Sequence, residues 1–231
     1  MHDFGKLVYL EMQKTGSTYV NKFLRDCCLS KELKHKKHNV IKNDYDIEKF
    51  YFISIRDPLS LYSSLYRYGL DGRGGMYKRI KHGRKSSCYS SIESFMSFIT
   101  CPKNSEYVGG GYNEEIATHI GIMSFRFMRL SLQFPLKQIG AKLRNGEDLL
   151  TLQDKFITNL EIKNENLNDE LVKLSTELFP DLFDQEKVTK FFESSMEVNV
   201  SSTSHDDNLQ KKLEQFRSKL EKKEALLFSR Y

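Results

Sequence analysis

Phe50-Tyr51-Phe52-Ile53-Ser54-Ile55 is a run of six strand-forming positions interrupted only by Ser54. A half-buried strand would carry a polar group at every second position. A run apolar on both faces must be covered on both, which is the condition of a parallel strand inside an α/β sheet. Arg56-Asp57-Pro58 ends the run. Asp57 suits an N-cap, and Pro58 suits the first position of a helix. Leu61, Leu65 and Tyr68 then share one helical face, and Ser60, Ser64 and Arg67 another.

A second unit of the same kind opens the chain. Lys6 to Leu10 is short and rich in strand formers, and Glu11 to Gly16 is a polar loop ending in glycine. Ser17 or Thr18 can cap the helix that follows. Val20, Phe23, Leu24, Cys27 and Cys28 form its apolar stripe, so both cysteines read as core residues. Strand, loop and helix in alternation predict an α/β domain with a central parallel sheet flanked by helices. Helices dominate the C-terminal half. The expected helices are Ile92–Ile99, one long helix Glu114–Leu132, Asn166–Leu178, Asp184–Phe192, and one helix Asp206–Phe228. Further strands are expected at Phe156–Thr158 and Met196–Val200, and Glu106–Tyr112, with Gly109-Gly110-Gly111, reads as a loop. No linker or repeat separates parts, so residues 1–231 are expected as a single domain.

Composition narrows the classes. The 231 residues are 39% hydrophobic and 12% aromatic, which supports a core and excludes a wholly disordered chain. No apolar run reaches the about 18 residues of a membrane span, and no secretory signal or anchor is visible at the N-terminus, so a cytoplasmic location is expected. The net charge of +5 favours anionic ligands without requiring nucleic acid. Two basic stretches stand out: Lys31 to Lys42, and the glycine-rich segment 69–89, which has no acid between Arg73 and Lys85 and reads as an exposed, mobile loop. Cys27, Cys28, Cys88 and Cys101 are expected as unpaired thiols in a reducing compartment. Neither the cysteines nor the six histidines have a metal-ligand spacing, so no metal is expected.

Chemistry concentrates in Leu10-Glu11-Met12-Gln13-Lys14-Thr15-Gly16-Ser17-Thr18-Tyr19. After a strand and at the start of a helix, free N–H groups and the positive end of the helix dipole form an anion site. Gly16 lets the backbone approach a ligand, Ser17 and Thr18 add hydroxyls, and Lys14 adds a charge. The nucleotide-triphosphate P-loop pattern is not met, because its two glycines are replaced by Val8 and Gln13. Arg56 stands at the carboxyl end of a buried strand, where open α/β sheets place ligands, and its guanidinium can bind a phosphate through two parallel bonds.

Taken together, a strand with Lys14-Thr15-Gly16-Ser17-Thr18 and a helix, then a strand with Arg56-Asp57-Pro58 and a serine eight residues after the arginine, resemble the sulfotransferase family. These enzymes use 3′-phosphoadenosine 5′-phosphosulfate (PAPS), and the resemblance implies their P-loop nucleotide-kinase-like architecture. Carried over by position, Lys14, Thr15, Gly16, Ser17 and Thr18 would bind the 5′-phosphosulfate with Tyr19 beside them, and Arg56 and Ser64 would bind the 3′-phosphate. The chain departs from the common pattern at Gln13, where proline is frequent, and at Tyr19, where tryptophan is frequent. It also has no Arg-Lys-Gly segment near its C-terminus. Phe156-Ile157-Thr158, Glu165-Asn166-Leu167, Val198-Asn199-Val200-Ser201 and the ending Leu227-Phe228-Ser229-Arg230-Tyr231 look like family features of low individual specificity.

Many relatives place a histidine base in a Lys-x-His setting, which Lys36-Lys37-His38 matches. His38 is therefore expected as the base with Lys36 as a nearby support, His35 and Glu32 are competitors, and Lys14 would act on the leaving oxygen. The resemblance implies sulfuryl transfer to a hydroxyl, with an amine as alternative, on an acceptor expected to be a carbohydrate. The basic segment 73–85 suits an anionic one. No metal and no nucleic acid are expected to take part. Two rivals remain: a P-loop phosphotransferase, and a non-enzymatic basic module binding nucleic acid or an anionic polysaccharide.

Overall fold

The computed structural model describes residues 1–36, 38, 41, 45–132, 140–141, 155–195 and 207–231. Lys37, Lys42, the strand expected at Met196–Val200 and the Val198–Ser201 segment lie outside the described residues. The chain divides into two compact units: residues 1–56 with 157–204, and residues 57–156 with 205–231.

The first unit holds a five-stranded sheet. Its strands are β1 (His2–Asp3), β2 (Leu7–Leu10), β3 (Lys34–His35), β4 (Phe50–Ile55) and β5 (Leu160–Lys163), in the order β3-β1-β2-β4-β5. β2, β4 and β5 run parallel, with Leu10 opposite Ile53 and Ile55 opposite Lys163. β1 is antiparallel to both β2 and β3. The sheet is therefore mixed, and the parallel arrangement expected from the apolar strands holds at its centre. Strands of two residues leave no alternation to detect, which is why this edge is not legible in sequence. The strand expected at Phe156–Thr158 lies instead at Leu160–Lys163, and Phe156 makes only an isolated bridge to Leu132.

Helix α1 (Ser17–Cys27) follows β2 and buries Val20, Phe23, Leu24 and Cys27 of the expected stripe, while Cys28, expected in the same stripe, is its half-buried C-cap. That face joins Tyr9 and Phe52 of the sheet, Leu171 of the helix Leu167–Lys173, and Val188 and Phe191 of the helix Gln185–Ser195 in one apolar core. All four cysteines are free thiols.

The second unit is helical. Its helices include α2 (Pro58–Leu70), α3 (Gly75–His82), α4 (Ile92–Ile99), α5 (Glu114–His119) and α6 (Ile122–Ser131). Asp57 caps α2, its carboxylate accepting the Ser60 N–H at 2.8 Å, with Pro58 at the first position. The segment expected as a mobile loop contains α3, because Met76 and Ile80, one turn apart, are buried. The single helix expected over 114–132 is two. Gly121 is extended, its N–H donates to the Lys223 carbonyl at 2.6 Å, and the Glu224 carboxylate accepts the N–H groups of Met123 and Ser124. The charged helix expected over 206–228 is likewise three short ones, Asp207–Glu214, Arg217–Lys223 and Ala225–Phe228.

Candidate functional site

β2 and β4 are neighbours and parallel, so the residues that follow each leave the same edge of the sheet. Glu11 to Gly16 follow β2, and Arg56 follows β4. The loop turns on two left-handed residues, Lys14 at φ 69° and Gly16 at φ 79°. A non-glycine residue pays about 1–2 kcal/mol to hold that region. A side chain on Gly16 would also meet Asn164 Nδ2 at 2.6 Å and Leu167 Cδ2 at 2.8 Å, so only glycine fits.

Helix α1 starts directly after Gly16, whose carbonyl accepts the N–H groups of Tyr19 and Val20 at 2.9 and 3.1 Å. The N–H groups of Ser17 and Thr18 precede these bonds and stand at the positive end of the helix. Thr18 is exposed, and Lys14, Ser17 and Arg56 are half-buried. Cationic side chains, amide donors and a helix N-terminus at the carboxyl edge of parallel strands suit a multiply charged anion.

The other proposed contacts differ in orientation. Thr15 is buried, and its hydroxyl donates to the Met12 carbonyl at 3.0 Å and meets Ser54 Oγ at 2.7 Å. Ser54 Oγ also meets the Tyr9 hydroxyl at 2.5 Å. The Thr15 side chain thus fastens the loop to β4. Its backbone remains the part suited to a ligand. The Tyr19 ring packs on Phe191, with ring centroids 5.3 Å apart. Ser64 belongs to α2 in the second unit, where it is half-buried.

His38 returns to the first residue of the loop. Its backbone N–H donates to Glu11 Oε2 at 3.2 Å, and its Nδ1 lies 3.0 Å from the Glu11 carbonyl. A carbonyl only accepts, so Nδ1 carries the proton in this contact and Nε2 is the basic nitrogen. Glu11 Oε2 is also 3.7 Å from His38 Nδ1. Burial alone would raise the Glu11 carboxyl, but the adjacent His2 and His38 hold it at about 2. It is therefore an anion at neutral pH, placed to stabilise an imidazolium.

The competing bases are engaged elsewhere. Glu32 meets His2 Nδ1 at 2.5 Å and Arg25 at 3.0 Å, and the exposed His35 stacks on His2 with centroids 4.3 Å apart. Ligand-capable atoms of His2, Glu32 and His35 lie within 4.8 Å of one another, a grouping that no sequence spacing announces. Lys36 is exposed, and its backbone pairs with that of Met1. Glu11, His2 and Ser54 are the site residues that the sequence reading missed. The one available signal was an acid directly after a buried strand.

Comparison with protein-family models, with curated proteins and with solved structures finds no match to this chain.

Proposed function

We propose that this chain is a sulfotransferase that moves the sulfuryl group of PAPS to an acceptor hydroxyl, on a carbohydrate by preference. The observation that carries this reading is the pairing of two features at one sheet edge. A left-handed Lys14–Gly16 turn opens α1, and His38 is fixed by Nδ1 to Glu11 at the start of the same loop. Arg56, leaving the neighbouring parallel strand, supplies a second cation.

The donor set fits the group. A phosphosulfate and a 3′-phosphate are anions that want amide donors, an ammonium and a guanidinium, and the described first unit offers each. PAPS supplies an activated sulfuryl group on a good leaving phosphate. The amides of Ser17 and Thr18 would orient the 5′ end, and Lys14 would neutralise charge appearing on the departing oxygen. Arg56 would hold the 3′-phosphate. His38 Nε2 would take the acceptor proton while Glu11 holds the ring and offsets its new charge. Positioning and charge neutralisation carry most of such a transfer.

Calorimetric titration with 3′-phosphoadenosine 5′-phosphate, with and without EDTA, tests this reading. Binding that is unaffected by EDTA and needs the 3′-phosphate, with AMP weaker, is the expected result. Magnesium-dependent preference for ATP would replace the reading with phosphoryl transfer. Absence of nucleotide binding would leave a basic binding module.

A further inference from the structure

The second unit contains a cluster of arginines that the transfer chemistry does not use. Arg79 of α3 lies against Gly109 and Arg129 of α6 against Gly110, and Arg126, also on α6, is near enough to feel both charges. All three glycines are left-handed, at φ 76°, 73° and 89°. A Cβ on Gly109 would lie 2.7 Å from the Arg79 guanidinium carbon, and one on Gly110 would lie 2.8 Å from Arg129 Nη1. The glycines therefore let two guanidinium groups lie directly against the loop backbone. The N–H groups of Gly109, Gly110 and Gly111 make no backbone hydrogen bond among the described residues.

Arg79 is partly satisfied, donating Nε to the Tyr107 carbonyl at 2.9 Å and Nη2 to the Val108 carbonyl. Arg129 is not. Its Nε is buried without a hydrogen-bond partner, and it makes no ion pair among the described residues. Arg126 offers one contact, Nη1 to the Met123 sulfur at 3.8 Å. Burial pushes the Arg126 guanidinium down to about 10, and Arg79 and Arg129 act in the same direction, with Tyr62 and Glu224 opposing. Glu224 offsets part of this charge, yet its carboxylate already receives Tyr62 and two backbone N–H groups. Like charges held together with a buried donor unsatisfied are costly unless an anion completes them.

We propose that Arg79, Arg129 and the Gly109–Gly111 backbone form a second oxyanion site, with Arg126 adding positive charge behind it, taking a sulfate or phosphate monoester group of a ligand. A tetrahedral oxyanion has enough acceptor oxygens to serve several guanidinium and amide donors at once, whereas chloride serves them poorly. The site lies within the second unit and does not depend on the sulfuryl-transfer reading.

The test uses the full chain with sodium sulfate and sodium phosphate as probes, at constant ionic strength set with sodium chloride. Calorimetry should give binding with a Kd of about 1 mM or tighter. Arg129→Gln should weaken it by about tenfold or more, and Arg129→Lys should weaken it less. The Arg129-dependent binding should persist in Arg56→Ala, which separates it from any anion held at the first unit. In the unmodified protein, the Arg129 Nε–H resonance, assigned by its loss in Arg129→Lys, should shift on adding phosphate. Equal binding in Arg129→Gln, an unmoved Nε–H resonance, or a chloride effect equal to that of sulfate would each overturn the proposal.

Discussion

Thr15 Oγ1 lies 2.7 Å from Ser54 Oγ, joining the turn that opens α1 to the strand that delivers Arg56. The contact is one link of a buried chain: Tyr9 hydroxyl, Ser54 hydroxyl, Thr15 hydroxyl, Met12 carbonyl. Because Thr15 donates to the Met12 carbonyl, Ser54 donates to Thr15 and Tyr9 donates to Ser54; the chain runs in one direction, and the loss of one member leaves a buried neighbour without its partner. It fixes the loop against the sheet at the point where a ligand's charge would pull on it.

Thr15→Val keeps the shape of the side chain and removes the hydroxyl. Ser54 then loses a partner in a buried setting, and the Met12 carbonyl loses its donor. The expected cost is about 1–3 kcal/mol of stability, read as a lower urea midpoint with unchanged slope. Thr15→Ser should recover most of it. If Thr15→Val is as stable as the unmodified chain, the hydroxyl chain does not fasten the loop.

Glu11 links the fold to pH. Its carboxyl is held at about 2 in the folded chain against an ordinary 4.5. A depressed folded value means that the ionised form contributes stability above the unfolded value, and that this contribution is lost as pH falls from 4.5 through about 2. Glu11→Gln should therefore be less stable than the parent at neutral pH, and the gap should narrow as pH falls toward about 3. Subtracting the two stability profiles removes the other carboxylates from the comparison. A gap constant across that range would show that His2 and His38 do not hold the Glu11 charge.

In the second unit, Glu224 acts as a distant cap for α6. Its carboxylate accepts the Tyr62 hydroxyl at 2.5 Å, the Met123 N–H at 3.0 Å and the Ser124 N–H at 2.6 Å. Glu224→Ala leaves three buried donors without an acceptor and opens a void beside Gly121. The expected loss is about 3 kcal/mol or more. Hydrogen exchange should report faster opening at Met123 and Ser124 than at the middle of α6. Uniform loss of protection along α6 would argue for a general packing defect and against a capping role.

These residues also mark what sequence could and could not convey. Local chemistry was legible. Phe50–Ile55 is a strand because both faces are covered, Asp57 and Pro58 start α2, and the stripe on α1 is buried as its spacing requires. Met76 and Ile80 carried a helical signal that the surrounding glycines and lysines obscured. Relations made by the fold were not legible. The break at Gly121 depends on Glu224, about a hundred residues later, and no periodicity in 114–132 announces it. His38 was a candidate from its neighbours alone, whereas its hold on Glu11 exists only because the chain returns after 27 residues to the end of β2. Thr15 matched a ligand pattern by position, and its side chain instead points into the hydroxyl chain.

His38 and Arg56 should separate the two halves of the proposed reaction. If His38 Nε2 accepts the acceptor proton, His38→Ala removes the base and leaves the anion donors in place. Turnover should fall by about 10²–10⁴-fold, while the affinity for 3′-phosphoadenosine 5′-phosphate stays within about twofold. Arg56→Ala should do the reverse in binding, weakening that affinity by about tenfold to a hundredfold through loss of a charge-assisted, two-pronged contact. Arg56→Lys should recover only part, because an ammonium cannot reproduce the guanidinium fork. Adenosine 5′-phosphosulfate, which lacks the 3′-phosphate, should bind the parent weakly and should be indifferent to Arg56→Ala. Equal losses of turnover and nucleotide affinity in His38→Ala would make His38 a structural partner of Glu11, with no role as the base. A nucleotide affinity unmoved by Arg56→Ala would remove Arg56 from the site.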